Sequence, residues 1–178
     1  MKDINATVII GLTPNLDEIK NGLHKDARWG IGRAERECLI IEETKKEEDW
    51  REFYETYKKT MEDGGTKPTS LENLKNNTHV FFVCKKEGRI IDGAGVWFVD
   101  RYKIEIPRLY FNSSLKEYQS SQPNNLLYWK CITWAKENGY REFDFGGWQI
   151  NAKGHLEGVN KFKEKWGRVI QYEKDCPF

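Results

Sequence analysis

The sequence has no apolar run long enough to cross a membrane or to form the core of a secretory signal. A membrane helix needs about 20 apolar residues. The opening segment, MKDINATVIIGL, contains an apolar run of about six residues at most, which is shorter than the hydrophobic region of a signal peptide. We therefore expect a soluble, cytoplasmic protein without membrane insertion.

Cysteine is scarce, and its spacing gives no sign of a metal site. The chain contains Cys38, Cys84, Cys131 and Cys176. They form neither a CxxC pair nor a Cys/His metal-binding pattern, so we expect reduced thiols and no bound metal. A chain of 178 residues with 38% hydrophobic content can bury about 70% of the surface that its unfolded form exposes. A disulfide framework is therefore unnecessary, and we expect one domain over residues 1–178.

An excess of charge of one sign is also absent. The chain has 29 basic and 28 acidic residues, which gives a net charge of +1. A general nucleic-acid binder needs a positive field that spans many phosphates, so the composition excludes that class. Basic residues cluster in segments 24–36 and 161–168. Each segment fits either a solvated basic face or a local phosphate contact.

Hydrophobic periodicity and turn residues predict alternating strands and helices without a repeat. The predicted strands are Thr7–Leu12, Leu39–Glu43, His79–Lys85, Arg89–Val99, Lys103–Asn112, Glu142–Phe145 and Arg168–Glu173. The predicted long helices are Lys25–Glu37, Glu47–Met61, Pro123–Asn138 and Glu157–Lys165. Turn residues at Glu87-Gly88 and Asp100-Arg101 predict that the three middle strands form an antiparallel meander.

Two shorter helices are predicted from their first residues. Thr13 is expected to cap one helix, with Pro14 at its first position. Thr69 and Glu72 are expected to form a capping box for another. The long helix beginning at Pro123 carries one apolar stripe, formed by Leu127, Tyr128, Cys131, Trp134 and Ala135.

The order of these elements resembles the GNAT acyltransferase architecture with an extra strand and helices in front, and four segments add a closer resemblance to the FemAB family. HKDARWGIGRAERECLIIEE resembles the basic helix K-x-x-R-x-x-I-x-[KR]-A of that family. WREFYETYKKTMEDGG resembles its aromatic helix, and NLLYWKCITWAKENGYREFDFGG with GVNKFKEKWG resembles its C-terminal signature. The resemblance implies an α/β fold of mixed α+β type, with a mostly antiparallel central sheet flanked by helices.

The resemblance also implies a transferase without a cofactor. FemAB-like enzymes use aminoacyl-tRNA as donor and extend a peptide on a cell-wall precursor. We therefore expect transfer of an aminoacyl group to an amine of a cell-envelope precursor or another small molecule. FemAB enzymes have two GNAT domains and this chain resembles only the second, so a homodimer or a partner chain is expected to supply the other.

The segment before the Pro123 helix departs from GNAT enzymes that use acetyl-CoA. Those enzymes carry a [QR]-x-x-G-x-[GA] loop, whose backbone N–H groups hold the pyrophosphate at the helix N-terminus. This chain has SSQPNNLL there, without glycine. The difference disfavours CoA as the donor.

The Phe-Lys pair of the C-terminal signature is the first candidate site. By resemblance, Lys163 contacts the terminal phosphate of the donor or the departing ribose hydroxyl. The alternative is a solvent-facing lysine on a basic helix. Phe162 would stack on the terminal adenine of the donor, or pack in the core.

The glycines after the Glu142–Phe145 strand are the second candidate. Gly146 and Gly147 lack side chains and so let a donor approach the backbone closely, although a tight turn would also use glycine. Asp144 alternates with Phe143 and Phe145. It either acts in catalysis by polarising the amine or bonds to neighbouring backbone.

Arg28 and Arg33 match the basic helix of the family and are candidates for binding a phosphate of the acceptor or donor, because arginine binds phosphate with two hydrogen bonds. A solvated surface is the alternative. Gly30 and Gly32 depart from the polar or basic residues that the family tends to have in this helix, which argues against phosphate binding. His155 lies in a polar loop, where a lone histidine is expected to be an exposed bystander.

Two further functions remain open from the sequence. One is an acyl-CoA-dependent N-acetyltransferase of GNAT type with a degenerate pyrophosphate loop. The other is a non-catalytic GNAT-like binding module. The resemblance to only one of the two FemAB domains favours the binding module.

Overall fold

The computed structural model describes residues 4–101 and 103–173, in which strands and helices alternate. The strands are β1 (Ile4–Gly11), β2 (Ile40–Glu43), β3 (Val80–Lys86), β4 (Arg89–Arg101), β5 (Ile104–Ser114), β6 (Glu142–Gly147) and β7 (Arg168–Glu173). The helices are α1 (Leu16–Gly22), α2 (Lys25–Arg36), α3 (Glu47–Asp63), α4 (Leu71–Asn76), α5 (Pro123–Glu137) and α6 (His155–Glu164). A 3₁₀ helix at Lys116–Ser121, which the sequence did not predict, precedes α5.

The strands form one seven-stranded sheet in the order β2-β3-β4-β5-β6-β1-β7. The pairs β2–β3, β3–β4, β1–β6 and β1–β7 are antiparallel. The pair β5–β6 is parallel, with Arg108 opposite Asp144. The predicted mixed α/β fold with a mostly antiparallel sheet is therefore confirmed.

The predicted start of α1 is wrong by two residues. Asn15 is the N-cap, and its side chain accepts a hydrogen bond from the Glu18 N–H at 2.9 Å. The Glu18 carboxylate accepts in return from the Asn15 N–H, also at 2.9 Å. This reciprocal capping box satisfies two N–H groups that have no partner within the helix. Thr13 and Pro14 consequently lie outside it.

The predicted cap of α4 is wrong by one residue. Ser70, and not Thr69, is the N-cap, and its hydroxyl accepts from the Asn73 N–H at 3.2 Å. The predicted stripe of α5 agrees with the observed burial at its centre, because Leu127 and Cys131 are fully buried. Trp134 is partly buried. Its ring stacks on that of Tyr140, with centroids 5.8 Å apart.

The described residues divide into two compact units. The first comprises the described parts of residues 1–28, 98–108 and 132–178. Its core contains Phe143 and Phe145 of β6, whose ring centroids lie 5.1 Å apart. Trp166 extends this core, with its ring 6.2 Å from Phe145. The next position, Gly167, has no room for a side chain, because a Cβ at this position would overlap the backbone of Ile9.

The second unit comprises residues 29–97 and 109–131. Aromatic residues of α3 pack on its strands: Trp50 stacks on Phe81 with ring centroids 3.8 Å apart. Phe53 is fully buried and lies against Gly93 of β4, where a Cβ would come within 2.6 Å of the Phe53 ring. A residue larger than glycine at position 93 would therefore force the Phe53 ring to move.

Within the described residues, no helix combines the length and the apolar character needed to span a bilayer. Cys38, Cys84 and Cys131 are free thiols, the first exposed and the other two buried. Cys176 lies outside the described residues.

Candidate active site

The centre of the candidate site, in the first unit, is the fully buried carboxylate of Asp144 on β6. Its Oδ1 accepts hydrogen bonds from the Thr7 hydroxyl at 2.5 Å and the Gly146 N–H at 2.7 Å. Its Oδ2 accepts one from Arg101 Nη2 at 2.9 Å. Both oxygens thus have the partners that a buried carboxylate requires. These contacts favour a positioning role for Asp144, and its role in catalysis stays a prediction.

A second guanidinium group approaches the same carboxylate. Arg108 Nε lies 3.8 Å from Asp144 Oδ2, which is beyond hydrogen-bond distance but within range of charge attraction. The Arg108 side chain is 22% exposed, compared with 9% for Arg101. One buried negative charge therefore lies between two arginines, one of which is accessible from solvent.

Lys163 of α6 is held next to the glycines that end β6. Its Nζ donates a hydrogen bond to the Gly147 carbonyl at 2.9 Å. Gly146 has a φ of 78°, which glycine adopts without strain and which lets its N–H turn back to Asp144. A Cβ at Gly147 would meet no atom within 4 Å, so there is open space beside it. Donor binding by these three residues stays a prediction.

The surroundings of Lys163 lower its pKa to about 8. Burial of the ammonium group is the largest cause, the Asp144 carboxylate opposes it, and the Arg108 guanidinium lowers the pKa further. The Lys163 side chain is therefore mostly a cation at pH 7 and loses its charge in mildly alkaline solution.

Three residues on one face of α6 hold the segment that follows β6. Asn160, Lys163 and Glu164 have the spacing that places side chains on the same face of a helix. The Asn160 side chain accepts from the Gln149 N–H at 2.9 Å and donates to the Gln149 carbonyl at 2.7 Å. Trp148 Nε1 donates to Glu164 Oε1 at 2.6 Å. Together with Lys163 bound at Gly147, these contacts fix the segment 147–149 on α6.

Phe162 is partly buried, and its ring centroid lies 6.2 Å from that of Trp166. This contact matches the core-packing interpretation. Stacking on an adenine stays a prediction.

The two arginines of the basic helix have partners within the chain. Arg28 Nη1 donates to the carbonyls of Asn21 at 2.7 Å and Leu23 at 2.6 Å, which satisfies groups at the end of α1. Arg33 forms an ion pair with Glu37 one helical turn away, at 2.6 Å. A phosphate-binding role for either arginine would require these contacts to open, and it stays a prediction.

His155 is exposed at the first position of α6. Among the described residues, no group of three His, Cys, Asp or Glu side chains has an arrangement that could hold a metal ion.

Sequence reasoning missed three residues of the site. Thr7 and Arg108 come to Asp144 through the pairing of β1 and β5 with β6. Arg101 comes from the end of β4. The sequence signal was an aspartate that alternates with Phe143 and Phe145 on a predicted strand. Such a position requires a buried cation, but it does not indicate which of the 29 basic residues supplies it.

A family model for the acetyltransferase (GNAT) domain matches residues 24–164. The chain belongs to the GNAT acetyltransferase family. The prediction of a transferase enzyme that moves an acyl group is thereby confirmed. A comparison with curated proteins by sequence finds no match.

Solved structures of other GNAT-type proteins share the fold at low sequence identity. FemX has a TM-score of 0.79 and 17% identity, over 95% of this chain and 60% of that chain. The C-terminal domain of a putative lysylphosphatidylglycerol synthetase from Agrobacterium fabrum has a TM-score of 0.70 and 14% identity, over 94% and 58%. L-PGS from Bacillus licheniformis has a TM-score of 0.67 and 18% identity, over 98% and 62%.

The predicted FemAB-like GNAT fold is thus confirmed. The chain spans about three fifths of the length of these three structures.

Proposed function

We propose that this GNAT protein transfers an aminoacyl group from aminoacyl-tRNA to an amine of a cell-envelope precursor or another small molecule in the cytoplasm. The fold shared with FemX supports this proposal. So does the fold shared with a protein named as a putative lysylphosphatidylglycerol synthetase, a name that describes an aminoacyl group joined to a lipid. The observation that carries the choice of donor is the start of α5, in the second unit.

The N-terminus of α5 is poorly suited to a pyrophosphate. Pro123 is its first residue and has no N–H to donate. The Asn125 N–H donates to the Gln122 carbonyl at 3.1 Å, and Asn124 Oδ1 accepts from Asn112 Nδ2 at 2.9 Å. One N–H group is therefore missing at this helix start and a second is bonded within the chain, where a CoA-binding GNAT enzyme presents free N–H groups. A donor that does not depend on this helix start fits better.

Aminoacyl transfer requires one bond to form and one to break. The amine nitrogen attacks the ester carbonyl carbon, the new C–N bond forms, and the bond to the ribose oxygen breaks. The amine loses one proton and the departing ribose oxygen gains one, so the products are an amide and a free hydroxyl. Charge that develops on oxygen in such a step is stabilised by a fixed cation.

We assign the residues of the candidate site to these needs. Lys163 would contact the terminal phosphate of the donor or the departing hydroxyl, and Phe162 would stack on the terminal adenine. The ester would approach along Gly146 and Gly147. Arg28 and Arg33 would hold a phosphate of the acceptor after release from their partners. Asp144 would hold Gly146 in place through its hydrogen bond and would polarise the amine of the acceptor.

Mass spectrometry of transfer products tests the proposal. The full chain is incubated with a pool of aminoacyl-tRNAs, and separately with acetyl-CoA, against a panel of amines. We expect aminoacyl transfer, and a loss of about 100- to 1,000-fold in Lys163→Met, which keeps the stem and deletes the charge.

Lys161→Met is the matched control. Lys161 is on the same helix, and its exposed ammonium group pairs with Glu157 at 2.5 Å. Equal activity of the two variants would show that the Phe-Lys resemblance is misleading. Transfer from acetyl-CoA alone would reject the donor that we propose.

The second candidate is an acyl-CoA-dependent N-acetyltransferase. The description of the matching family as an acetyltransferase domain favours it. The acetyl-CoA arm of the same experiment tests it directly, because an added acetyl group and an added aminoacyl group differ in mass.

A further inference from the structure

Positive charge exceeds negative charge in the candidate site. The cationic cluster consists of Arg101, Arg108 and Lys163 around the single carboxylate of Asp144. Arg101 forms a close ion pair with Asp144 at 2.9 Å and so balances the charge of that carboxylate. Arg108, at 3.8 Å, and Lys163 therefore bring two further positive charges to a partly buried place.

Such an excess is unfavourable for the protein alone. Cations withdrawn from water are destabilised unless a negative group lies beside them. Burial is the main cause of the lowered pKa of Lys163, and repulsion from Arg108 lowers that pKa further. An anion bound beside the two groups would offset both effects.

The geometry of Arg108 leaves it able to bind such an anion. Its Nε is the atom nearest to Asp144, so the carboxylate orients the guanidinium group from one side. Within the described residues, the terminal nitrogens of Arg108 donate to no protein acceptor. Lys163 reaches the same stretch of chain, because its Nζ binds the carbonyl of Gly147, three residues after Asp144.

We propose that Arg108, oriented by Asp144, is a second anion-binding residue of the active site and that together with Lys163 it binds a phosphate group of a substrate. Arginine suits this role because its planar donors match two phosphate oxygens, while lysine adds a point charge. The inference rests on the proposed function for its location. It concerns ligand binding, so it can be tested without the transfer reaction.

The phosphate has two possible sources, which the experiment distinguishes. In an aminoacyl-tRNA it is the phosphodiester before the terminal adenosine, and the trinucleotide CCA is its probe. In an acyl-CoA it is the pyrophosphate, and coenzyme A is its probe. Inorganic phosphate serves as a probe of the anion site alone.

Isothermal titration calorimetry of the full chain with each probe, at low and at physiological salt, tests the inference. We expect CCA to bind, with an affinity that falls about 10- to 100-fold in Arg108→Gln. The salt dependence of binding should also become shallower, because one phosphate contact is lost. Arg108→Lys should recover part of the affinity, since it keeps the charge without the planar donors.

Arg141→Gln is the matched control. Arg141 is an exposed arginine immediately before β6, outside the cationic cluster, and its variant should bind CCA as the wild type does. Arg108→Gln should still fold, because Thr7, Gly146 and Arg101 continue to satisfy Asp144. Circular dichroism verifies this.

The outcomes separate this inference from the proposed function. Wild-type affinity in Arg108→Gln, or no binding of any probe to the wild type, would overturn the inference even if aminoacyl transfer occurs. Arg108-dependent binding of coenzyme A but not of CCA would support the anion site and count against aminoacyl-tRNA as the donor. Arg108-dependent binding of CCA supports the inference even where no transfer product is detected.

Discussion

At the scale of single residues, two fully buried carboxylates have opposite surroundings. Asp144 lies beside Arg101 and Arg108. Among the described residues, Asp92, in the second unit, accepts from neutral donors alone, the Gly93 N–H at 2.7 Å and Asn112 Nδ2 at 3.1 Å. Its Oδ2 is among the buried polar atoms of the described chain that have no hydrogen-bond partner. Burial therefore raises the pKa of Asp92 well above its usual value.

The raised pKa of Asp92 predicts a pH-dependent cost. Well below pH 4, the carboxyl is protonated in both the folded and the unfolded chain and costs nothing. As the pH rises above that value, the unfolded chain releases the proton first, so the free energy of unfolding falls. Asp92→Asn removes this titration. We expect its stability relative to the wild type, measured by urea unfolding, to increase from pH 4.5 to pH 8.

Asp100→Asn is the control for this prediction. Asp100 is exposed on β4, and its variant should show a nearly constant difference from the wild type over the same range. A constant difference for Asp92→Asn as well would mean that the buried carboxyl does not titrate differently on folding.

At the scale of elements, Asn160 of α6 holds Gln149 in the segment that follows β6. Asn160→Ala would leave the Gln149 N–H without its partner, while the Gln149 carbonyl would keep the bond that it accepts from the Ala152 N–H at 3.3 Å. A polar group left without a partner in a partly buried place costs about 1–3 kcal/mol. We expect the free energy of unfolding to fall by about that amount, and transfer to fall as well, because Lys163 lies on the same helical face.

Urea unfolding and transfer rates measure both effects. Asn138→Ala is the matched control, since Asn138 makes one exposed bond, to the Trp134 carbonyl at 2.8 Å. Its stability should change by a few tenths of a kcal/mol. An Asn160→Ala variant of full activity and stability would show that the segment 147–149 is fixed by other contacts.

The two glycines of α2 should respond differently to alanine. Alanine stabilises a helix interior by about 1 kcal/mol relative to glycine. A Cβ at Gly32 would meet only the flexible end of Arg36, at 3.4 Å, so Gly32→Ala should stabilise the protein. A Cβ at Gly30 would lie 2.5 Å from Asn125 Cγ, and Asn125 is buried and bonded to Gln122.

Gly30→Ala should therefore destabilise the protein, because overpacking costs about 1–3 kcal/mol. Thermal unfolding of the two variants provides the comparison. Stabilisation by both would show that α2 and Asn125 adjust to the added methyl group without cost.

The elements were predictable from the sequence to a larger extent than the site. Strand β7 was predicted at Arg168–Glu173, as observed, because local periodicity and turn residues define an element over a few positions. The close approach of Gly30 to Asn125, by contrast, joins residues far apart in the sequence. The same holds for the bond from Thr7 to Asp144, which spans 137 positions. No local pattern encodes such a pairing.

At the scale of the whole molecule, the choice of donor should affect thermal stability. A ligand present at 100 times its dissociation constant stabilises a protein by about 2.7 kcal/mol. For a chain of this size, that corresponds to a rise of about 5–10 °C in the melting temperature. We expect such a rise with RNA ending in CCA and none with millimolar coenzyme A, which differential scanning fluorimetry would measure. A rise with coenzyme A alone would favour the acetyltransferase alternative.

The place of β1 between β6 and β7 has a consequence for the order of events during synthesis. The ribosome makes β1 before its partner β6, which starts at Glu142, roughly 130 residues after Gly11. At about 5–20 residues per second, the first strand waits on the order of ten seconds for a neighbour. Val8 and Ile9, which are buried in the finished protein, lack their neighbours from β6 throughout that interval. The nascent chain therefore carries an unpaired apolar strand, which is prone to aggregation until translation is almost complete.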